Sequence, residues 1–323
     1  MACCLRARSI RATCVAEYIV HKAVELSKVK AKRRAELSAP GYLEANYIAQ
    51  AKYDGCNLVI EIHEDVSGDK WGYAYSRTGE EVKSCDHIIA ALCMLPGIER
   101  GTYLGEAWCP DAEFNEISGW FRRQQADEDT CRLQFVVFDV LTPDEWETGA
   151  SDVPYEQRAL RAGILTHITQ GQAPVWSAGS FGKIAETWTN TTAQDVCNKL
   201  VDAGGYDGLI LRDPLGRWRK NDKGTGGEII KIKRKLSFDL RVVDYVPGKG
   251  KHEGKIGSLV VEFRGQRMGA GTGLRDDERD VSQFEANWLN KIVEIEAMDY
   301  SSDGLLREPR LKGVRLDKTE PDA

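Results

Sequence analysis

Apolar residues recur every third or fourth position across 15–37 (Val15, Tyr18, Ile19, Ala23, Leu26), which predicts one helix, ended by Ala39-Pro40-Gly41. From Asn46 the chain changes to short β-type runs at 47–52, 56–62 and 71–75, separated by the turn signals Asp54-Gly55 and Ser67-Gly68-Asp69. Helical spacing returns over 82–95. Strands follow at 102–108 and 133–141, the second so apolar that it reads as a central strand. Helices are expected at 155–168 and 184–203, and strands at 207–212 and 228–233. After Ser237 the pattern becomes strands with glycine-rich turns (238–246, 256–263, 266–271), then a helix over 280–293 and a last strand pair. The fold class is therefore α+β: antiparallel sheets with flanking helices, followed by a small five-stranded barrel of about 85 residues. The expected domains are 1–236, of which 1–38 form a basic N-terminal segment, and 237–323.

Composition leaves this picture intact. The 323 residues suit about two domains, and 42% hydrophobic with 29% charged residues excludes disordered and fibrous classes. The nine cysteines show no zinc-pair spacing and read as buried thiols of a reducing, cytoplasmic compartment. No apolar run approaches the roughly 18 residues of a membrane helix. Arg6, Arg8 and Arg11 precede the first acid, Glu17, and read as a basic terminus in preference to a transit peptide. The net charge of −6 argues at first against a nucleic-acid partner. However, 217–235 carries a local +6 and 1–34 a local +7, leaving −19 for the rest, so the acidic total conceals two basic segments.

Four short strings carry chemistry. Lys52-Tyr53-Asp54-Gly55 lies between two expected strands, where a lysine facing a cleft can act as a nucleophile once burial or neighbouring cations help it lose its proton. Glu106, in Gly105-Glu106-Ala107-Trp108, and Asp207, in Asp207-Gly208-Leu209-Ile210-Leu211-Arg212, put carboxylates at strand ends, and two such acids can hold Mg2+. Lys231-Ile232-Lys233 places two amines on one strand face, able to bind phosphates.

This order resembles the covalent nucleotidyltransferase superfamily, and the strings Phe114-Asn115-Glu116-Ile117-Ser118-Gly119-Trp120-Phe121-Arg122, Asp213-Pro214, 248–257 and Arg315-Leu316-Asp317-Lys318 look like short two-domain bacteriophage ATP-dependent DNA ligases. The resemblance implies an adenylation domain followed by an OB-fold. It implies Lys52 as the nucleophile that carries AMP, with Asp54 as its motif partner and Lys231 and Lys233 over the α-phosphate. Gln50, Ala51, Asn57, Arg77, Glu106, Phe138 and Arg212 would contact the nucleotide, with Phe138 stacking on the purine. Glu106 and Asp207 would hold Mg2+, and Arg315 and Lys318 would grip the leaving pyrophosphate. The implied partners are ATP and nicked duplex DNA, the implied state is a monomer, and the implied roles are replication, repair and recombination. Four positions depart from the family pattern: Asn57 for arginine, Gln50 for a glutamate that contacts the adenine amine, Asp207 for glutamate, and Arg212 for a lysine that touches the α-phosphate. Two other readings remain at this point: a GTP-dependent capping-type guanylyltransferase or RNA ligase, and a catalytically silent nucleic-acid-binding module.

Overall fold

In the computed structural model, which describes residues 18–169, 174–301 and 303–322, the chain divides after Ile232 into two units. The first is built on two sheets. β1 (Ile48–Tyr53), β7 (Tyr206–Arg212) and β8 (Ile229–Ile232) form an antiparallel sheet in the order β1-β7-β8. The larger sheet has the order β3-β2-β4-β5-β6, formed by β2 (Cys56–Glu64), β3 (Lys70–Ser76), β4 (Gly101–Trp108), β5 (Gln134–Leu141) and β6 (Val175–Ser177). The almost wholly apolar β5 lies inside this sheet, between β4 and β6, as its composition predicts.

Alternation along the strands gives each sheet one helix-covered face. From β2, Leu58, Ile60 and Ile62 pack into the cluster that holds Ile88 and Leu92 of the helix Asp86–Met94 and Ile117 and Trp120 of the helix Phe114–Phe121. From the small sheet, Ala49, Leu209, Leu211 and Ile230 pack with Leu37, Leu43, Ile184 and Val196. The opposite faces of both sheets contribute to a common cavity, and the larger sheet also buries Val59, Leu104 and Leu141 on that side against Trp146 and Trp218.

Three expected helices differ. Residues 18–25 form no helix: Ile19, Lys22 and Val24 donate their backbone N–H groups to Arg77, Asp222 and Ile229, so tertiary pairing overrides the helical spacing. Helix begins only at Ala31–Leu37, and residues 15–17 lie outside the described residues. The segment 184–203 is broken into Ile184–Thr187 and Ala193–Ala203, because Thr192 caps the second helix in a reciprocal box with Asp195. In the second unit, 280–293 gives only a short helix, Phe284–Asn287. Asn290 then takes φ 61°, and Ile292 and Val293 join a strand.

A buried ion pair fixes the end of β5. The Arg158 guanidinium donates to both oxygens of Asp139 at 3.0 and 2.9 Å, and to the carbonyls of Val153 and Gly216. The two side chains are 3% and 1% exposed. Removing one partner strands the other charge, so Asp139→Ala is expected to cost about 3–5 kcal/mol in urea unfolding; a loss below ~1 kcal/mol would contradict this.

The second unit is a five-stranded antiparallel sheet in the order β11-β10-β9-β12-β13. Its strands are β9 (Leu236–Pro247), β10 (Ile256–Phe263), β11 (Gln266–Ala270), β12 (Ile292–Ala297) and β13 (Arg310–Val314). One isolated bridge, Thr272 with Arg310, links the two ends of the sheet, and among the described residues no ladder closes the expected barrel. Leu240, Val242, Leu259, Val261, Phe263 and Ile295 fill its core. No helix of the described residues is long and apolar enough to cross a membrane.

Candidate active site

The register of β1 against β7 sets the first wall of the cavity. Gln50 and Lys52 share the face opposite buried Ala49 and Ala51, and Lys52 pairs with Gly208. Simple alternation would send Asp207 to the face opposite Gly208. The register instead slips between Lys52 and Tyr53, which pair with Gly208 and Tyr206, and leaves Asp207 as the extra residue of a bulge. A bulge re-aims a side chain, and the Asp207 carboxylate accepts from Lys52 Nζ at 2.5 Å.

The second wall comes from the larger sheet. Glu106 pairs with Asn57 and faces the cavity. Both glycines of the flanking motifs are required by close approach. A Cβ on Gly55 would lie 2.3 Å from the Ala107 carbonyl oxygen, and one on Gly105 would lie 2.4 Å from that of Val136. A second bulge, between Leu104–Asp139 and Gly105–Val137, leaves Phe138 unpaired and turned into the cavity.

The cavity measures about 320 Å³ and brings together Gln50, Ala51, Lys52, Asn57, Arg77, Glu106, Phe138, Arg212 and Lys231. This size is within the range of small-molecule sites. The Asn57 Nδ2 donates to the Gly105 carbonyl at 3.2 Å, while its buried Oδ1 has no partner among the described residues and is available to a ligand hydroxyl. Gln50 Nε2 donates to Gly179 O at 2.7 Å, and its Oε1 accepts from Arg212 Nε at 2.7 Å. Lys233 follows the end of β8 and belongs to the second unit, where Nζ is 3.5 Å from Met298 Sδ. Arg315 and Lys318 also belong to that unit. Both pair with the Asp239 carboxylate, at 2.7 and 2.5 Å, and they also bond Asp317 and Asp322 respectively.

Part of the wall is not foreseen by the motifs. Tyr18, Val20, His21, Lys22 and Ala23 line the cavity from the extended N-terminal segment. Lys22 lies over the Tyr18 ring at 3.2 Å. The two basic segments adjoin here: Val24 N–H donates to Ile229 O, Lys231 N–H to Val24 O and Lys30 N–H to Thr225 O. The Asp-Gly turn signals of the neighbouring strands gave no indication of this partner, because the contact is made by backbone groups distant in sequence.

Electrostatically the centre is one ammonium among three carboxylates. Burial alone would pull the Lys52 ammonium down, but Asp207, Glu106 and Asp54 outweigh it and hold the group above the usual lysine range. Burial pushes the Glu106 carboxyl up to about 7, against the attraction of Lys52 and with the repulsion of Asp207 and Asp54. Carboxylates are the hard oxygen donors a divalent cation takes, but among the described residues no three or more such side chains converge into a ready-made metal cage, so any cation here would draw only part of its coordination from the protein. Lys52 can attack an electrophile only after giving up its proton, which requires those carboxylates to be offset.

Comparison with known proteins agrees with this arrangement. A DNA ligase of Natronomonas pharaonis is 25% identical over 310 residues, covering 85% of this chain and 52% of the relative. A DNA ligase of Methanothrix thermoacetophila is 26% identical, covering 84% and 52%. The chain thus spans about half the length of the curated relatives it matches. The ATP-dependent DNA ligase from bacteriophage T7, solved in complex with ATP, superposes with a TM-score of 0.51 at 19% identity, covering 92% of this chain and 98% of its own, which shows a shared fold. Residues 247–315 match the family model of the DNA ligase OB-like domain. Residues 29–233, which include both walls of the cavity and Lys52, match that of the ATP dependent DNA ligase domain, and the chain belongs to this family.

Proposed function

We propose that this protein is an ATP-dependent DNA ligase that seals nicks bearing a 5′-phosphate and a 3′-hydroxyl in duplex DNA. The observation that carries the reading is Lys52 Nζ at the wall of a cavity of nucleotide size, held by the bulged Asp207 and opposed by a half-buried Glu106. Lys52 would attack the α-phosphorus of ATP, forming a P–N bond as the bond to pyrophosphate breaks. AMP then passes to the 5′-phosphate of the nick, and the 3′-hydroxyl displaces it as the strand closes. Phe138 supplies a flat apolar surface for the base, Asn57 an acceptor for a sugar hydroxyl, and Lys231 and Arg77 positive charge for phosphate oxygens. Glu106 and Asp207 would hold Mg2+, which when bound would draw negative charge off the reacting phosphate. Arg315 and Lys318 would meet the pyrophosphate after exchanging the carboxylates that hold them here. The first unit would carry the nucleotide chemistry and the second the OB domain, acting as a monomer in the cytoplasm.

Incubation with α-labelled ATP and a nicked duplex tests this. A covalent protein adenylate followed by a joined strand is expected. A guanylate formed from GTP alone would indicate capping chemistry, joining of nicked RNA alone an RNA ligase, and no label with either nucleotide a binding module.

The adjoining basic segments supply the phosphate-binding surface of this reading. Nick affinity is expected to fall steeply with salt. Neutralising Lys223 and Lys220 should make the slope of log K against log[salt] shallower, by about 1 for each phosphate that is no longer neutralised. An unchanged slope would place the DNA elsewhere.

A further inference from the structure

Trp108 ends β4 and stands outside the wall of the cavity. Its indole Nε1–H donates to the Gly205 carbonyl at 3.1 Å. The Asp54 N–H donates to the same oxygen at 3.3 Å. One carbonyl therefore joins three segments: the turn after β1, the end of β4 and the residues that lead into β7. Lys52 lies two residues before Asp54, Glu106 two residues before Trp108, and Asp207 two residues after Gly205. The ammonium and both strand-end carboxylates are thus each tied to this oxygen by a short piece of chain.

The Trp108 bond crosses between the sheets. β4 belongs to the larger sheet, β1 and β7 to the smaller. The chain itself joins them here through the Asp54-Gly55 turn between β1 and β2. The ladder of β1 and β7 slips at this end, where Asp207 forms its bulge, so the ladder does not by itself set the position of that carboxylate. Rings pack around the carbonyl. The Tyr53 ring centre lies 5.1 Å from that of Trp108 and 5.2 Å from that of Tyr206, edge-on to both. Trp108 and Tyr206 are stacked within 12° of parallel, 6.3 Å apart. Gly205 takes φ 77°, and a Cβ there would lie 3.1 Å from the Trp108 ring, so the turn and the close approach of the ring both select glycine.

We propose that Trp108 is a positioning residue for the first chemical step. Through the Gly205 carbonyl, its indole N–H sets Lys52 and the bulged Asp207, on one sheet, against Glu106 on the other. Reacting groups tolerate little displacement: a shift of about 1 Å can cost roughly 10²-fold in rate. The inference rests on the adenylation reading and deepens it.

Single-turnover labelling by α-labelled ATP, followed in time at several ATP concentrations, tests this. Its amplitude counts competent molecules, and its rate constant reports the geometry of those that react. Trp108→Phe keeps an aromatic ring at the carbonyl and removes the donor. The rate constant at saturating ATP should fall about 10-fold or more, while the ATP concentration for half-maximal rate changes little, because the indole stands outside the cavity. Gly205→Ala disturbs the same carbonyl from the other side and should lower the same rate constant. The two losses should not add in the double variant, since either change breaks the same bond. A loss of amplitude with an unchanged rate constant would leave Trp108 a role in stability only and overturn the inference. Additive losses would also overturn it, because the two residues would then act through different contacts. No label in the intact protein would instead overturn the adenylation reading, and this inference with it.

Discussion

Lys52→Ala loses covalent labelling by α-labelled ATP by roughly 10⁴-fold or more, the scale on which nucleophile removal acts in a covalent mechanism. Lys22 and Lys231 also line the cavity, from the N-terminal segment and from β8, whereas Lys233 belongs to the second unit; neither of the two stands at the Lys52 position of the motif strand. Sealing of a nick already carrying AMP on its 5′-phosphate should survive in the same variant, because that step no longer needs the lysine as acceptor. The pH profile gives a further check. The three carboxylates hold Lys52 charged above its ordinary range, so label formation should rise with pH and show no plateau at neutrality. Asp207→Asn removes the strongest of those partners and should shift the rise to lower pH, even as it costs rate through the lost carboxylate. Residual labelling in Lys52→Ala near the wild-type level would refute Lys52 as the nucleophile. A profile unmoved in Asp207→Asn would refute the role given to the bulge.

The strands were legible because apolar runs bounded by turn residues have few other ways to bury themselves. The runs at 56–62 and 256–263 became Cys56–Glu64 and Ile256–Phe263. The motif lysine, Glu106 and Lys231 converge on one cavity in the order in which the sequence presents them. Two of the side chains most important to the site were legible as residues but not as geometry. Asp207 and Phe138 sit on bulges, and a period of two cannot foretell an inserted residue that turns a side chain to the other face. The same rule put Lys231 and Lys233 on one face, yet the strand stops at Ile232. The N-terminal wall was hidden for another reason: helical spacing over 18–25 is real in the side chains, but the backbone hydrogen bonds go to Arg77, Asp222 and Ile229. The helix break at Thr192, by contrast, has its signal in the sequence itself, since Thr-x-x-Asp is a cap pattern that outranks the apolar spacing running through it.

Glu106→Gln should make the protein more stable at pH 8 while it disables the first chemical step. Burial raises the Glu106 carboxyl from 4.5 to about 7 in the fold. Below pH 4.5 the group is protonated whether the chain is folded or unfolded, and contributes nothing to pH dependence. Between about 4.5 and 7 the unfolded chain has lost a proton that the fold retains, so stability falls as pH rises. Above 7 the penalty is constant, at about 3 kcal/mol for a raise of this size. Glutamine has nearly the same shape and no charge to bury, and should recover about 2 kcal/mol of it, the remainder going to an amide that needs new partners; the attraction to Lys52 and Arg77 is already included in the net raise. Urea unfolding of the two proteins at pH 4 and pH 8 reads this directly: the curves should nearly coincide at pH 4 and separate at pH 8, with the variant the more stable. Adenylate formation should fall by roughly 10²–10³-fold, because a neutral amide can neither hold a divalent cation as a carboxylate does nor complete the field around Lys52. A gap that does not change with pH, or a variant less stable at pH 8, would mean that Glu106 is not the strained acid of the site. The fold would then be tolerating a buried charge whose cost is offset by partners already within the protein, and the need for an external cation at this position would disappear with it.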